Sequence, residues 1–344
     1  MIYCFRFGKQ EARRRNANML VPVLLFFLGF VLLIKGGDWF VDGATGLAHR
    51  FHLPELLIGA TVVSIGTTLP EVMVSAQAAL EHNSGISYGN AIGSVICNTS
   101  LIAALTVAIR PSGVNKSSLR VPVAAFFSAA VLYSLIAYTA GEFQRWQGVV
   151  FLALFVGYMI LTVYQMKKHP DQVEAEEAED AEKAPKDRPL WQELLALVAG
   201  AAAIAVGARL LVDNGTLIAA ALGVPDSVIG LTMVALGTSL PELVTAVTAL
   251  AKGHSALSLG NIIGANLFNI VLVSGAAITI SPFAIPVEKT LAGMNASLVV
   301  DIPVMLGVMA LLCLPALIKG KLSRWQGVTL LCVYAAFTAF QFIV

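Results

Sequence analysis

Two stretches of this chain are nearly the same sequence. Gly59-Ala-Thr-Val-Val-Ser-Ile-Gly-Thr-Thr-Leu-Pro-Glu71 recurs, 171 residues later, as Gly230-Leu-Thr-Met-Val-Ala-Leu-Gly-Thr-Ser-Leu-Pro-Glu242. The same offset pairs Ser87, Gly89, Asn90, Ile92, Gly93 and Asn98 with Ser258, Gly260, Asn261, Ile263, Gly264 and Asn269. It also pairs Asp42 with Asp213, and Pro54-Glu55 with Pro225-Asp226. Arg145-Trp-Gln-Gly-Val149 returns as Arg324-Trp-Gln-Gly-Val328 at an offset of 179, so a single insertion of eight residues in the second copy aligns both halves. Whatever this chain folds into is therefore one unit, used twice.

The unit belongs in a membrane. The chain is 57% hydrophobic and 12% charged, against about 25% charged in soluble domains. Met19–Ile34, Val121–Tyr138, Gly148–Tyr164 and Gly327–Val344 are apolar stretches near the roughly 20 residues that a spanning helix needs. Ten such helices are expected, over 19–48, 53–80, 84–109, 119–139, 144–165, 190–221, 224–251, 255–280, 294–316 and 323–343. Five per copy is odd, so the two copies must insert with opposite topology. Charge agrees: with the first helix starting outside, the inner loops hold thirteen Lys and Arg residues and the outer loops only Arg145 and Lys289, a strong positive-inside bias. The expected fold is an all-α integral membrane protein, ten transmembrane helices arranged as two inverted five-helix repeats.

Residues 1–18 carry Arg6, Lys9, Arg13, Arg14 and Arg15, which this topology puts on the wrong side. No small-residue cleavage site follows them, and Met19 opens a spanning helix cleanly. They are read as an upstream extension ahead of a start at Met19; the alternative is a real tail, tolerated because the many inner-loop charges set orientation. The first repeat then covers 19–166 and the second 190–344. Between them, 167–189 is an acidic cytoplasmic linker: Asp171–Asp187 holds eight acids and two lysines, too polar to bury a core.

The chemistry sits in the repeated segment. Glu71 and Glu242 lie about eighteen residues into the second and seventh helices, well inside the hydrocarbon region at about 1.5 Å per residue. A carboxylate there opposes insertion by roughly 2.5–3.5 kcal/mol and marks an ion path or binding site. Pro70 and Pro241 cannot donate to the carbonyls of Gly66 and Gly237, so each helix should kink or unwind one turn before its acid, which membranes tolerate where backbone lines a cavity. Thr67 and Thr238 share a face with the glutamates. Thr68, Ser239, Ser94, Asn98 and Asn269 add further oxygens. An all-oxygen set suits a hard cation such as Ca2+ or Na+. Two carboxylates about 4 Å apart repel by roughly 4 kcal/mol at an effective dielectric of about 20. One Ca2+, two Na+ or two protons relieve that repulsion equally, which is the physical basis of an exchanger. No phosphate-cradling loop is present, so an ion gradient must drive transport.

These paired motifs resemble the two α-repeats of the cation/calcium exchanger superfamily, most closely its prokaryotic sodium/calcium exchangers. The resemblance covers helices 2–3 and 7–8 closely and the ten-helix plan throughout, apart from residues 1–18 and the linker. It implies that Glu71 and Glu242 hold Ca2+ together with backbone oxygens of Thr67 and Thr238. It further implies Na+ sites built from Thr68, Ser239, Ser94, Asn98 and the carbonyls of Ser64 and Ala235, with the first and sixth helices sliding across the other eight. The sequence departs from the family pattern at Ala265, often a serine, and at Val95, which stands where the second copy has Asn266. Asn269 stands where potassium-dependent members carry an aspartate. Gly93 and Gly264 occupy the place of the acid that marks the proton-coupled branch. The resemblance thus implies an antiporter of the inner (cytoplasmic) membrane exchanging Ca2+ for Na+, with H+/Ca2+ exchange as the alternative.

Other classes fit less well. Without a basic stripe carrying interleaved aromatics, no nucleic-acid partner is expected; the expected partners are Ca2+, Na+ and membrane lipid. No enzyme activity or resident cofactor is expected either. Cys4, Cys97, Cys313 and Cys332 have no metal-ligand spacing, and the histidines fall at segment ends. A channel could use the same oxygens, but a single chain of inverted halves favours alternating access. An intramembrane aspartyl protease would need two aspartates where this chain has Pro-Glu.

Overall fold

A computed structural model describes residues 19–168, 188–222, 237–287 and 290–343; the basic extension and most of the acidic linker lie outside these. Helices are the dominant element: α1 (Leu20–Arg50), α2 (Glu55–Leu80), α3 (Ser84–Ile109), α4 (Lys116–Thr139), α5 (Arg145–Lys168), α6 (Leu190–Ala221), α7 (Leu240–Lys252), α8 (Ser255–Ile280), α9 (Ser297–Lys319) and α10 (Arg324–Ile343). Among the described residues eight are long and apolar enough to cross a membrane; the others are α7, described over 13 residues, and α10, over 20. The helix boundaries fall within a few residues of those expected wherever the chain is described. Two short antiparallel pairs accompany them, Glu142–Phe143 with Phe283–Ala284 and Thr290–Leu291 with Met294–Asn295.

Local chemistry sets the ends. Asn83 Oδ1 accepts the amide of Ile86 to cap α3, and Asn115 Oδ1 that of Ser117 to cap α4, each satisfying an amide that the first turn leaves free. Gly253 and Gly320 end α7 and α9 with φ of 90° and 66°, the left-handed stop that glycine makes without strain.

Two layers follow from where the helices are small. α1 and α6 pack against each other running in opposite directions, with Gly29 opposite Gly207 and Gly36 opposite Gly200. A Cβ on Gly29 would stand 2.8 Å from the Gly207 carbonyl, and one on Gly36 2.8 Å from the Ile204 amide. The four glycines are themselves repeat mates, since Gly29 and Gly36 map onto Gly200 and Gly207. Leu33, Phe40, Val41, Ala44, Ile204 and Ala208 fill the seam, while Leu24, Phe27, Val31 and Val206 are left on the outside, as lipid-facing residues are. The remaining helices form the body, with Phe126, Tyr133, Phe151 and Phe268 among its fully buried side chains.

The repeated Arg-Trp-Gln-Gly acquires a reason. Gln147 and Gln326 each cap their own helix, accepting from the amides of Gln144 at 2.7 Å and Ser323 at 2.9 Å. Arg145 donates to the Ile280 carbonyl at the end of α8, and Arg324 to the Ala108 carbonyl near the end of α3. Gly148 lets α5 meet α8 at Gly275 and Thr279, and Gly327 lets α10 meet α3 at Ala104 and Ala108. Each half thus docks its last helix on the third helix of the other, by the same arginine and glycine. Trp146 and Trp325 remain exposed at the helix starts, positions that indole rings favour at a membrane interface.

Candidate cation site

The acids sit in unlike backbones. α2 begins with one α-helical turn, passes through a π-helical segment at Gly59–Val63, and then runs unbroken from Ser64 to Leu80 with Pro70 inside it. Its expected interruption at Pro70 is therefore not a break; the wide turn lies further upstream. Thr238 and Ser239 form a turn directly before α7 starts at Leu240, and the residues upstream of Gly237 lie outside those described. Pro241 occupies the first turn, where a missing amide costs nothing, and Glu242 follows it. Glu242 is thus close to a helix N-terminus, whose partial positive charge favours a carboxylate.

Both glutamates are 0% exposed, and the two carboxylates act on each other electrostatically. None of their four oxygens has a hydrogen-bond partner among the described residues, and the same holds for Thr68 Oγ1, Ser239 Oγ and both side-chain polar atoms of Asn98 and Asn269. A buried polar group left in that condition costs about 1–3 kcal/mol, more when charged. Six of the expected side chains therefore carry polar atoms that no described residue satisfies. Such a set is stable only with a cation or protons among its oxygens.

The remaining expected residues fall as follows. Ser94 is buried one turn before Asn98. Thr67 is buried, and its hydroxyl donates to Asn261 Oδ1 at 3.2 Å. Ser64 Oγ donates to the carbonyls of Gly59 at 2.7 Å and Asn261 at 2.9 Å. Thr238 is half-buried in the turn before α7. Ala235 lies outside the described residues. Asn98 and Asn269 each open a π-helical segment, Asn98–Ala103 and Asn269–Val273. These widened turns, 171 residues apart, disturb the regular carbonyl ladder in the same place in both copies, as such segments do at functional sites.

Three residues emerge that had no role assigned from sequence. Asn90 Nδ2 donates to the Glu71 carbonyl at 3.0 Å and to Ser75 Oγ at 2.8 Å, fixing the acid-bearing turn. Its repeat mate Asn261 instead reaches the other half, holding Ser64 and Thr67. Thr245, one turn beyond Glu242, is fully buried with an unpartnered hydroxyl. The Gly-Asn pairs at Gly89-Asn90 and Gly260-Asn261 were visible as repeats; their targets were not. Among the described residues no three His, Cys, Asp or Glu side chains gather as a metal cluster, so the site is two carboxylates among neutral oxygens.

Comparison with known proteins points the same way. A family model described as sodium/calcium exchanger protein matches residues 21–164 and 193–343. The chain is similar to the sodium/calcium exchanger MaX1 of Methanosarcina acetivorans, 30% identical over 94% of this chain and 99% of that protein. It is similar to the inner membrane protein YrbG of Escherichia coli, 35% identical over 77% of this chain and 81% of that one. Its fold matches a solved structure of the sodium-calcium exchanger NCX_Mj, with a TM-score of 0.79 and 33% identity over 94% of this chain and 99% of that one.

Proposed function

This chain belongs to the sodium/calcium exchanger family, and from that premise we propose that it is a secondary antiporter exchanging Ca2+ for Na+ across the cytoplasmic membrane by alternating access. The observation that carries the reading is the pair Glu71 and Glu242: fully buried, one from each copy, with all four oxygens unpartnered. In this reading they bind Ca2+ with the backbone oxygens of Thr67 and Thr238. Na+ is held beside them by Thr68, Ser239, Ser94, Asn98 and the carbonyls of Ser64 and Ala235, and Asn269 completes the set as a neutral oxygen ligand. A site with two carboxylates is satisfied by one Ca2+ or by two Na+, and is poorly stable with neither. Cargo can therefore leave only when its replacement arrives.

The architecture that goes with this function is ten spanning helices in two inverted halves. Support comes from the opposed directions of α1 and α6 across matched glycines, and from the reciprocal docking of α5 on α8 and α10 on α3. Sodium is favoured as the driving ion because Asn269 is neutral, and because Gly93 and Gly264 bring no further acid.

The test is uptake of radiolabelled Ca2+ into proteoliposomes under outward Na+, K+ or H+ gradients applied separately. Uptake driven by Na+ with no K+ requirement is expected. Uptake that follows a pH gradient and ignores Na+ would make the protein an H+/Ca2+ antiporter.

A further inference from the structure

A cation tethers α1 to the end of α7. Lys252 Nζ lies 2.6 Å from Asp42 Oδ1 and 3.4 Å from Asp38 Oδ1, and it donates to the Asp38 carbonyl at 3.0 Å. Arg188 approaches Asp42 from the start of α6, at 4.0 Å. The repeat offset of 171 pairs Asp38 with Arg209, Asp42 with Asp213 and, counted back, Lys252 with Glu81. The cation has moved from the end of a body helix to the α1/α6 layer, yet each set still holds one cation and two carboxylates. In either set, the cation can bridge both acids.

Only the first set is assembled. Its side chains are 28% (Lys252), 38% (Asp38) and 35% (Asp42) exposed. In the second set Arg209 meets only Asp213 in its own helix, at 3.6 Å, with the two side chains 84% and 64% exposed. Glu81 is exposed at the end of α2 and accepts from Gln77 one turn back. The sets stand apart along the layer. Gly207 faces Gly29, so Arg209 lies level with the turn before Gly29, roughly 16 Å along α1 from Asp38 at about 1.5 Å per residue. An ion pair left open at this depth is unfavourable, and its charge match to Glu81 is unused in the present arrangement.

Resting on the reading of the chain as an inverted-repeat exchanger, we infer that Arg209, Asp213 and Glu81 form a second ionic bridge, made when the site opens to the opposite side of the membrane. Exchanging the conformations of two inverted halves generates the opposite-facing state. α6 is then tied to the end of α2 as α1 is tied here to the end of α7. The two bridges alternate through the cycle, and Glu81 and Arg209 are positioning residues for it.

The experiment uses the full chain in proteoliposomes. Glu81→Arg and Arg209→Glu each replace an attraction by a repulsion, and cation-driven Ca2+ uptake should fall about fivefold in each, the scale of a partly exposed ion pair. Combining the two should bring uptake back to within about twofold of wild type. In a background without the native cysteines, Glu81→Cys with Arg209→Cys should cross-link on oxidation and stall transport until reduced. No rescue in the swapped double variant, together with no cross-link, overturns the second bridge while leaving wild-type exchange standing. Failure of the wild-type protein to take up Ca2+ under any gradient overturns the exchange reading itself.

Discussion

Glu71 and Glu242 carry most of the consequence of a single residue here, because burial leaves their charge nothing in the protein to lean on. Replacing either by Gln keeps the shape and removes one charge. Losing one partner from a buried charge cluster costs about 3–5 kcal/mol, so gradient-driven Ca2+ uptake by Glu71→Gln or Glu242→Gln should fall more than about a hundredfold. Insertion and gel-filtration behaviour should be unchanged, and near-normal uptake would refute the site. Stability should move the other way. In chelator, Glu71→Gln should melt higher than wild type, since a buried repulsion is gone. Ca2+ at about a hundred times its dissociation constant should then stabilise wild type by about 2.7 kcal/mol and the variant far less. A melting curve with and without Ca2+ reads both. Asn269 lies among the same unpartnered groups. Asn269→Asp adds a third carboxylate, and uptake by that variant should become dependent on an additional cation such as K+. An unchanged ion dependence would remove Asn269 from the site.

At the scale of the element, the α1/α6 contact depends on what is absent from it. A Cβ on Gly200 would stand 2.8 Å from the Gly36 carbonyl, whereas one on Gly157 in α5 would meet nothing within 4 Å. Gly200→Leu and Gly36→Leu should therefore force the layer apart, at about 1–3 kcal/mol each for overpacking. Gly157→Leu should be close to neutral. Thermal unfolding in detergent distinguishes them, and equal melting temperatures for all three would mean that α1 and α6 do not need their close approach. The turn at Thr238–Ser239 before α7 and the continuity of α2 through Pro70 belong to this scale as well. One proline-bearing motif is accommodated in two ways, because a proline in the first turn of a helix loses nothing while one inside it leaves a carbonyl unbonded.

For the whole molecule, the proposed inverted plan assigns each surface to a compartment. Glu142 and Lys321 are exposed and are repeat mates at the offset of 179. The plan puts the first outside and the second inside. In a cysteine-free background, Glu142→Cys and Lys321→Cys should react with a membrane-impermeant maleimide from opposite sides. Labelling of both from one side would refute opposite orientation.

The sequence by itself determined that the chain is two copies of one apolar unit, where most of its helices lie, and which two acids are deeply buried. Each of these is a local or periodic property, readable from the offset of 171, the apolar run lengths and the Pro-Glu motif. Most of the proposed ligand set was legible for the same reason, since Thr68, Ser239, Asn98 and Asn269 occupy repeat positions beside the acids. Tertiary structure decided the rest. That Asn261 crosses to Ser64 and Thr67 while Asn90 stays on the Glu71 turn, that Lys252 crosses to Asp42 while Glu81 stays with Gln77 in its own half, and that Thr245 has no partner among the described residues are differences between two nearly identical segments. Nearly identical segments carry nearly identical local preferences. The difference arises only when the two halves pack against each other.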